Sequence, residues 1–298
     1  MDAPRVAGFT LVRNATLLDF PLEPSLHSLL EAVDELVVNV GASDDDTLDR
    51  VRAIDDPRLR IIESVWDPSL GTGMLAHETQ RAMDACRAAW GIYLQADEIF
   101  GDGSAAKIRD AIIRCDADPG VEGVLADYLH FYGGFDTVVR NRAWYRREVR
   151  AVRLDPRSGV HSWRDAQGFR AGADNRRIRA VACGAVVHHY GWARPTWALA
   201  RKRVDDRALD PERRRIHDGK PLLPWFPGMQ PFRGTHPEVV REWIAARSAQ
   251  RYAVEPPDFR LEHIAMRAST LMERLTGWRP FEFRNYVRVE CRAANRSG

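Results

Sequence analysis

The chain has 298 residues, 45% of them hydrophobic, and a formal net charge of +2, enough apolar material for one large domain or a main domain with an appendage. A mean hydropathy of -0.40, with no run near the ~18 apolar residues of a spanning helix, argues for a soluble protein without a transmembrane segment. Its basic residues are arginines apart from Lys107, Lys202 and Lys220, and acids are interspersed among the arginines between 140 and 215. That stretch reads as a solvated basic face or as a surface meeting phosphates through guanidinium forks; no nucleic-acid partner is expected.

The N-terminal Met1 to Arg5 carries no signal-peptide core and leads directly into an apolar strand, Val6 to Val12. A short helix opens at Pro24-Ser25 and runs through Val33. Leu36 to Gly41 reads as a buried strand ending on glycine, and Asp44-Asp45-Asp46-Thr47 starts the next helix, its acids suited to the helix dipole. Leu59 to Ile62 is a third strand. Leu75, Thr79, Ala82, Met83, Cys86 and Ala89 recur at helical spacing. Gly91 to Leu94 is a fourth strand running into Gln95-Ala96-Asp97-Glu98; a helix follows over Ala105–Cys115 and an extended segment over Gly123–Phe131.

Such alternation predicts a mainly parallel sheet covered by helices, with ligands bound beyond the strand carboxyl ends. Arg13-Asn14, Asn39 to Gly41 and Gln95 to Glu98 all follow strand ends, so three polar clusters should converge on one edge. Trp144–Leu154 and Ile178–Tyr190 read as longer strands, antiparallel additions to that sheet. Pro195 opens a helix to about Leu209, and 218–234 is largely loop. Thr235-His236-Pro237-Glu238 has the form of a capping box opening a helix through about Ala249. Asp258 opens the last helix, whose apolar face (Leu261, Ile264, Ala265, Ala268, Leu271, Met272, Leu275) is assigned to the core, with Gly277 as its stop. The division expected is an α/β domain over 1–192 and a helical extension over 193–298. Cys86, Cys115, Cys183 and Cys291 lie far apart without a CxxC pair and fit buried thiols of a reducing cytoplasm.

Asp97, a carboxylate at a buried strand end beside Glu98, either binds Mg²⁺ or Mn²⁺ shared with substrate phosphates or caps the following helix. Arg13 and Asn14 could meet a base or phosphate. Arg194, Arg201 and Lys202 are candidates for a diphosphate or anionic acceptor, or else form an exposed helical face. In an extended His188-His189 pair at most one ring faces a given site.

The succession Val6–Arg13, then Val37-Val38-Asn39-Val40-Gly41-Ala42-Ser43-Asp44-Asp45-Asp46-Thr47, then Tyr93-Leu94-Gln95-Ala96-Asp97-Glu98, resembles glycosyltransferase family 2 over roughly the first hundred residues. Gln95-Ala96-Asp97-Glu98 stands where that family has Asp-x-Asp, and with the later His189-Tyr190-Gly191-Trp192 it resembles a bacterial branch of the family. The resemblance implies an A-type glycosyltransferase fold, a nucleotide-sugar donor, a saccharide or glycolipid acceptor and inverting transfer. Asn39 then stands where the family commonly has a base-contacting Asp, and Gln95 replaces the first metal-motif acid. Arg13, Asn14, Asn39, Gly41 and Gln95 become the nucleotide-binding set, and Asp97 with His189 the metal set for Mn²⁺ or Mg²⁺. The family's catalytic base lies downstream: Asp165 within His161 to Gly168 fits it, Asp127 is the second candidate, and Trp163 and Glu98 become substrate contacts. From the cysteines and the missing signal core the location expected is cytoplasmic, with peripheral contact at the inner membrane face through arginines in a chain without hydrophobic anchors.

Two other readings compete. One is a sugar nucleotidyltransferase, opposed by the lack of a Gly-rich basic loop in Leu11 to Thr16. The other is a non-catalytic module binding nucleotide or an anionic polymer, suggested by the missing first acid.

Overall fold

The computed structural model describes residues 3–291 except 166, 210–220, 251, 258–259, 280–281 and 283. Asp258 as a helix start, Ala166 and positions 218–220 of the expected loop lie outside the described residues. The α/β architecture is present. Strand β1 (Val6–Val12), buried along its whole length, pairs in parallel with β2 (Glu35–Gly41) and β4 (Trp90–Tyr93), and β2 pairs in parallel with β3 (Leu59–Ser64). Between them lie α1 (Leu22–Leu30), α2 (Thr47–Arg52) and α3 (Met74–Asp84). The short β5 (Glu98–Phe100) and α4 (Ser104–Cys115) precede β6 (Gly123–Tyr132), β7 (Thr137–Val139) and β8 (Arg147–Arg153).

Beyond β4 the sheet becomes mixed. β8 runs antiparallel to both β4 and β6. β9 (Val160–Trp163) and β10 (Gly168–Ala171) form a hairpin beside β11 (Arg176–Trp192). β11 lies antiparallel to β5 but parallel to β6, so of the two longer strands expected as antiparallel additions, β8 is one throughout and β11 is one only toward β5 and β10. The sheet order is β3-β2-β1-β4-β8-β6-β11-β10-β9. β11 is irregular between Ala182 and Val186, where Gly184 has φ 72°; that region favours glycine.

Two side-chain rows set the core. Phe9, Tyr93 and Phe169 pack on one face of the sheet, with Phe9 and Tyr93 stacked at 5.3 Å. Gly91 leaves room for the Phe9 ring, whose edge is 2.6 Å from where a Cβ would sit. The other face buries Leu22, Leu26 and Leu29 of α1 and Ile108 and Ile112 of α4, positions that recur at helical spacing.

After α5 (Thr196–Leu209) come β12 (Met229–Pro231), α6 (Arg241–Ala245), α7 (Leu261–Thr276) and β13 (Tyr286–Arg288). β12 pairs with β7 and β13 with β11, so the C-terminal extension adds strand as well as helix. Two expectations are corrected here. The capping box does not form: Pro237 is the N-cap and supplies no side-chain cap, and His236 instead meets the Tyr190 hydroxyl at 2.8 Å. Asp102 accepts from the Glu238 N–H at 3.3 Å, and the helix that follows ends at Ala245. The apolar face of α7 is exposed, Leu261 80% and Leu275 76%, because polar anchors turn the helix the other way. Glu273 is gripped by Arg146 at 3.1 Å and Arg279 at 2.6 Å, and His263 and Ser269 are buried.

Candidate active site at the strand ends

The residues after β1 are fixed by the acids after β2. Asn14 sits at φ 55°, a conformation that Asn tolerates better than most side chains. Its Oδ1 accepts from Asp44 N at 2.8 Å. Asp45 accepts from Thr16 N at 2.9 Å and Leu17 N at 2.8 Å, and Thr47 Oγ1 accepts from Ala15 N at 2.7 Å. The acidic run therefore clamps the neighbouring turn as well as opening α2. Asn39 is fully buried, donating to the Glu78 carbonyl and carboxylate at 2.8 and 2.9 Å and accepting from Ser64 Oγ at 2.7 Å. Gly41 admits Trp66, whose Nε1 is 2.5 Å from where a Cβ would stand.

Beyond the strand ends opens a cavity of about 500 Å³, lined among others by Arg13, Trp66, Gln95, Asp97, Asp165 and His189. The β1 and β4 clusters reach it directly; the β2 cluster contributes only through the Trp66 that Gly41 seats. Of the sequence-expected residues, Asn14 and Asn39 are buried framework and do not line the cavity. Asp127 is drawn into an ion pair with Arg147 at 2.6 Å, and Trp163 packs under Arg164 and Arg170 at 5.5 and 5.7 Å; neither lines the cavity.

Glu98 is turned inward. Its carboxylate takes Arg150 Nη2 at 2.8 Å and Nε at 3.0 Å, the Tyr128 hydroxyl at 2.9 Å and Gln95 N at 3.1 Å, with both members of the ion pair fully buried. It closes the turn that presents Gln95 and Asp97. Ser25 Oγ donates to the Gln95 carbonyl at 3.0 Å, and Tyr190 N donates to the Asp97 carbonyl at 2.8 Å. Asp97 is thus held by α1, β11 and a buried ion pair while its carboxylate faces the cavity.

His188 and His189 point to opposite sides of β11. His188 packs with Phe131, Phe232 and His236, where burial and His236 push its pKa down to about 4. His189 faces Asp97, Nε2 to Oδ2 3.8 Å. Its tautomer follows from its neighbours. His130 Nε2 lies 2.8 Å from the Tyr145 carbonyl, which can only accept, so that nitrogen carries the proton. Burial and His189 hold the His130 imidazole well below its ordinary pKa, so it is neutral and its Nδ1 accepts. His189 Nδ1, 2.9 Å away, is then the donor, and its Nε2 presents a lone pair. Burial lowers the His189 pKa, against the upward pull of Asp97 and Glu98. Burial would raise the Asp97 carboxyl, but His189, Lys202 and Arg194 outweigh it and keep it below the ordinary range. Two Lewis bases therefore face one another across 3.8 Å with no hydrogen bond between them, a donor pair that suits a cation. Gly191 keeps this gap open: a Cβ there would stand 2.5 Å from His189 Nε2 and 2.7 Å from Asp97 Oδ2. No group of three or more His, Cys, Asp or Glu gathers among the described residues.

The sequence reading missed Tyr145, Gln167, Trp192, Arg203 and Asp205 as cavity lining, and it left Lys202 open. Lys202, Arg203 and Asp205 lie on α5, where the charged run Arg201-Lys202-Arg203-Val204-Asp205 gives no sign of which face meets the cavity. Arg194 is fully buried, donating to the carbonyls of Leu18 and Gly191, and Arg201 pairs with Asp205 at 3.1 Å.

No family model matches the chain, and no curated protein matches it. Two solved structures similar to it over part of its length are of S. aureus TarS. TarS 1-349 in complex with UDP has a TM-score of 0.35 and 16% identity, covering 44% of this chain and 37% of that chain. The other, of TarS 1-349, has a TM-score of 0.35 and 13% identity, covering 50% and 47%. The chain spans less than half the length of either.

Proposed function

We propose that the chain transfers a sugar from a nucleoside diphosphate donor to an acceptor hydroxyl with inversion, through the cavity at the ends of β1 and β4. The observation that carries this reading is the Asp97–His189 pair, a carboxylate and an unprotonated imidazole nitrogen facing one space in a cavity that also holds Arg13, Lys202 and Arg203. These cations suit the two phosphates. Asp97 and His189 would hold a divalent cation, the imidazole favouring Mn²⁺ over Mg²⁺, which supplies Lewis-acid neutralisation of the charge on the departing diphosphate. Arg13, Gln95 and Trp66 suit the nucleoside side, with Asn14, Asn39 and Gly41 holding the loops that carry it.

Asp165, which also lines the cavity, takes the role of base. As the acceptor oxygen bonds to the anomeric carbon, the hydroxyl proton passes to the Asp165 carboxylate, and the electron pair of the breaking bond leaves on the diphosphate oxygen. Asp127, committed to Arg147, is the weaker candidate. Domain roles follow: 1–192 binds the nucleoside and the cation, and 193–298 contributes Lys202 and Arg203 to the diphosphate and Leu222 to the acceptor side.

The test is a panel of UDP-, GDP- and dTDP-sugars with Mn²⁺, read by melting temperature and, once the acceptor is found, by transfer. At least one donor should raise the melting temperature in a metal-dependent way, and Asp165→Asn should keep that shift while losing transfer. No shift with any donor, with or without metal, would sink the reading; transfer unchanged in Asp165→Asn would remove Asp165 as the base.

A further inference from the structure

Helix α7 is mounted with its apolar face outward. Its polar side holds it to the body through Glu273, Arg146 and Arg279 and through His263, whose ring lies 5.5 Å from that of Trp225. The opposite side carries Leu261, Ile264, Leu271, Met272 and Leu275, followed by Trp278, which is 59% exposed. With Ala265 and Ala268 they form one stripe, recurring at three- and four-residue steps and wider than a two-position coiled-coil seam. Arg260, Arg267 and Arg274, all exposed, follow one edge of the stripe at seven-residue intervals. An apolar face bordered by arginines and ending in tryptophan is the pattern of a helix lying in a membrane interface.

We propose that α7 docks this face on an anionic phospholipid surface, with Leu261, Ile264, Leu271 and Leu275 entering the acyl boundary and Arg267 and Arg274 meeting the phosphates. The charge pattern decides against a second copy of the chain. The stripe's arginine edge repeats without an acid, and in an antiparallel two-fold pair each copy would set its arginine edge against the other's. In a parallel pair the positions that would receive those arginines, Ala265 and Met272, carry no carboxylate. Anionic headgroups supply the complementary charge that a facing second copy of this stripe would not present. No helix among the described residues is long and apolar enough to cross a membrane, so the contact is with the surface. The proposal goes beyond sugar transfer and does not depend on it.

The experiment is flotation of the full chain with phosphatidylcholine vesicles and with vesicles also containing phosphatidylglycerol, without nucleotide or metal. Wild type should float with the anionic vesicles, less as salt is raised, and remain behind with the neutral ones. The exposed-residue variant Ile264→Gln/Leu271→Gln/Leu275→Gln should lose flotation at an unchanged melting temperature. Arg267→Gln/Arg274→Gln should weaken binding about tenfold or more. The proposal is overturned by absence of flotation in wild type, by binding unchanged in both variants, or by lipid-free dimers that the triple variant dissolves. Any of these outcomes leaves the nucleotide-sugar reading untouched, because no donor is present.

Discussion

At the residue scale the site turns on one proton. The Tyr145 carbonyl fixes the proton on His130 Nε2, His130 in turn fixes it on His189 Nδ1, and the cavity receives a bare nitrogen opposite Asp97. Replacing His130 by Phe keeps an aromatic ring but removes the acceptor, so Mn²⁺ affinity should fall about 10- to 100-fold, the usual cost of losing a group that orients a metal ligand; Mn²⁺ titration followed by electron paramagnetic resonance measures it. An affinity equal to wild type would disconnect the two histidines. The same chemistry sets the pH dependence. His130, His188 and His189 are held below their ordinary value of 6.5, so below that pH these three side chains bind more protons in the unfolded chain than in the folded one. The histidines' contribution to stability is therefore complete above pH 6.5 and declines as the pH falls, opposed over the same range by Glu148, whose carboxyl is pushed up to about 7 by burial. For His188 the decline runs to about pH 4 and amounts to about 3 kcal/mol. Between pH 8 and 4 the melting temperature of wild type should drop more below 6.5 than that of His188→Phe, which takes up no proton at that position; parallel curves would remove His188 from the pH dependence.

At the scale of elements, the turn between β4 and β5 is a device for aiming Asp97. Glu98 and Arg150, fully buried, hold it from beneath, and Glu98→Gln would leave the guanidinium without its counter-charge. Urea unfolding should show a loss of about 3–5 kcal/mol, and a loss below 1 kcal/mol would mean that the pair does not anchor the turn. The sequence favoured Asp97 over Glu98 for the cation only by resemblance and left Glu98 as a substrate contact, because both follow the same strand end and only the position of Arg150, far along the chain, shows that Glu98 turns inward. The elements from β1 to α4, apart from the three-residue β5, were legible because each carries its own local period and stop. The exposure of α7 was not: periodicity reveals that a helix has an apolar face, not which way that face is turned. Asn39 was misleading for a similar reason. It occupies the position expected of a base contact, but Glu78, one helix away, takes its amide.

At the scale of the molecule, the parallel half of the sheet brings Arg13, Gln95 and Asp97 to one edge, and the mixed half delivers His189 on the long β11. α5, together with the segment around Leu222, adds Lys202, Arg203 and Asp205 from the C-terminal part of the chain. The first contribution could be read from strand ends. The last could not, since it depends on how distant segments pack over the cavity. We propose that these groups form a metal-dependent nucleotide-sugar transferase centre organised by Asp97. Its most direct test is release of nucleoside diphosphate from the donor panel with Mn²⁺, in wild type and in Asp97→Ala. The expected result is slow release by wild type that stops with chelator and falls about 100-fold or more in the folded variant. Release from no donor, or release undiminished in Asp97→Ala, would contradict it.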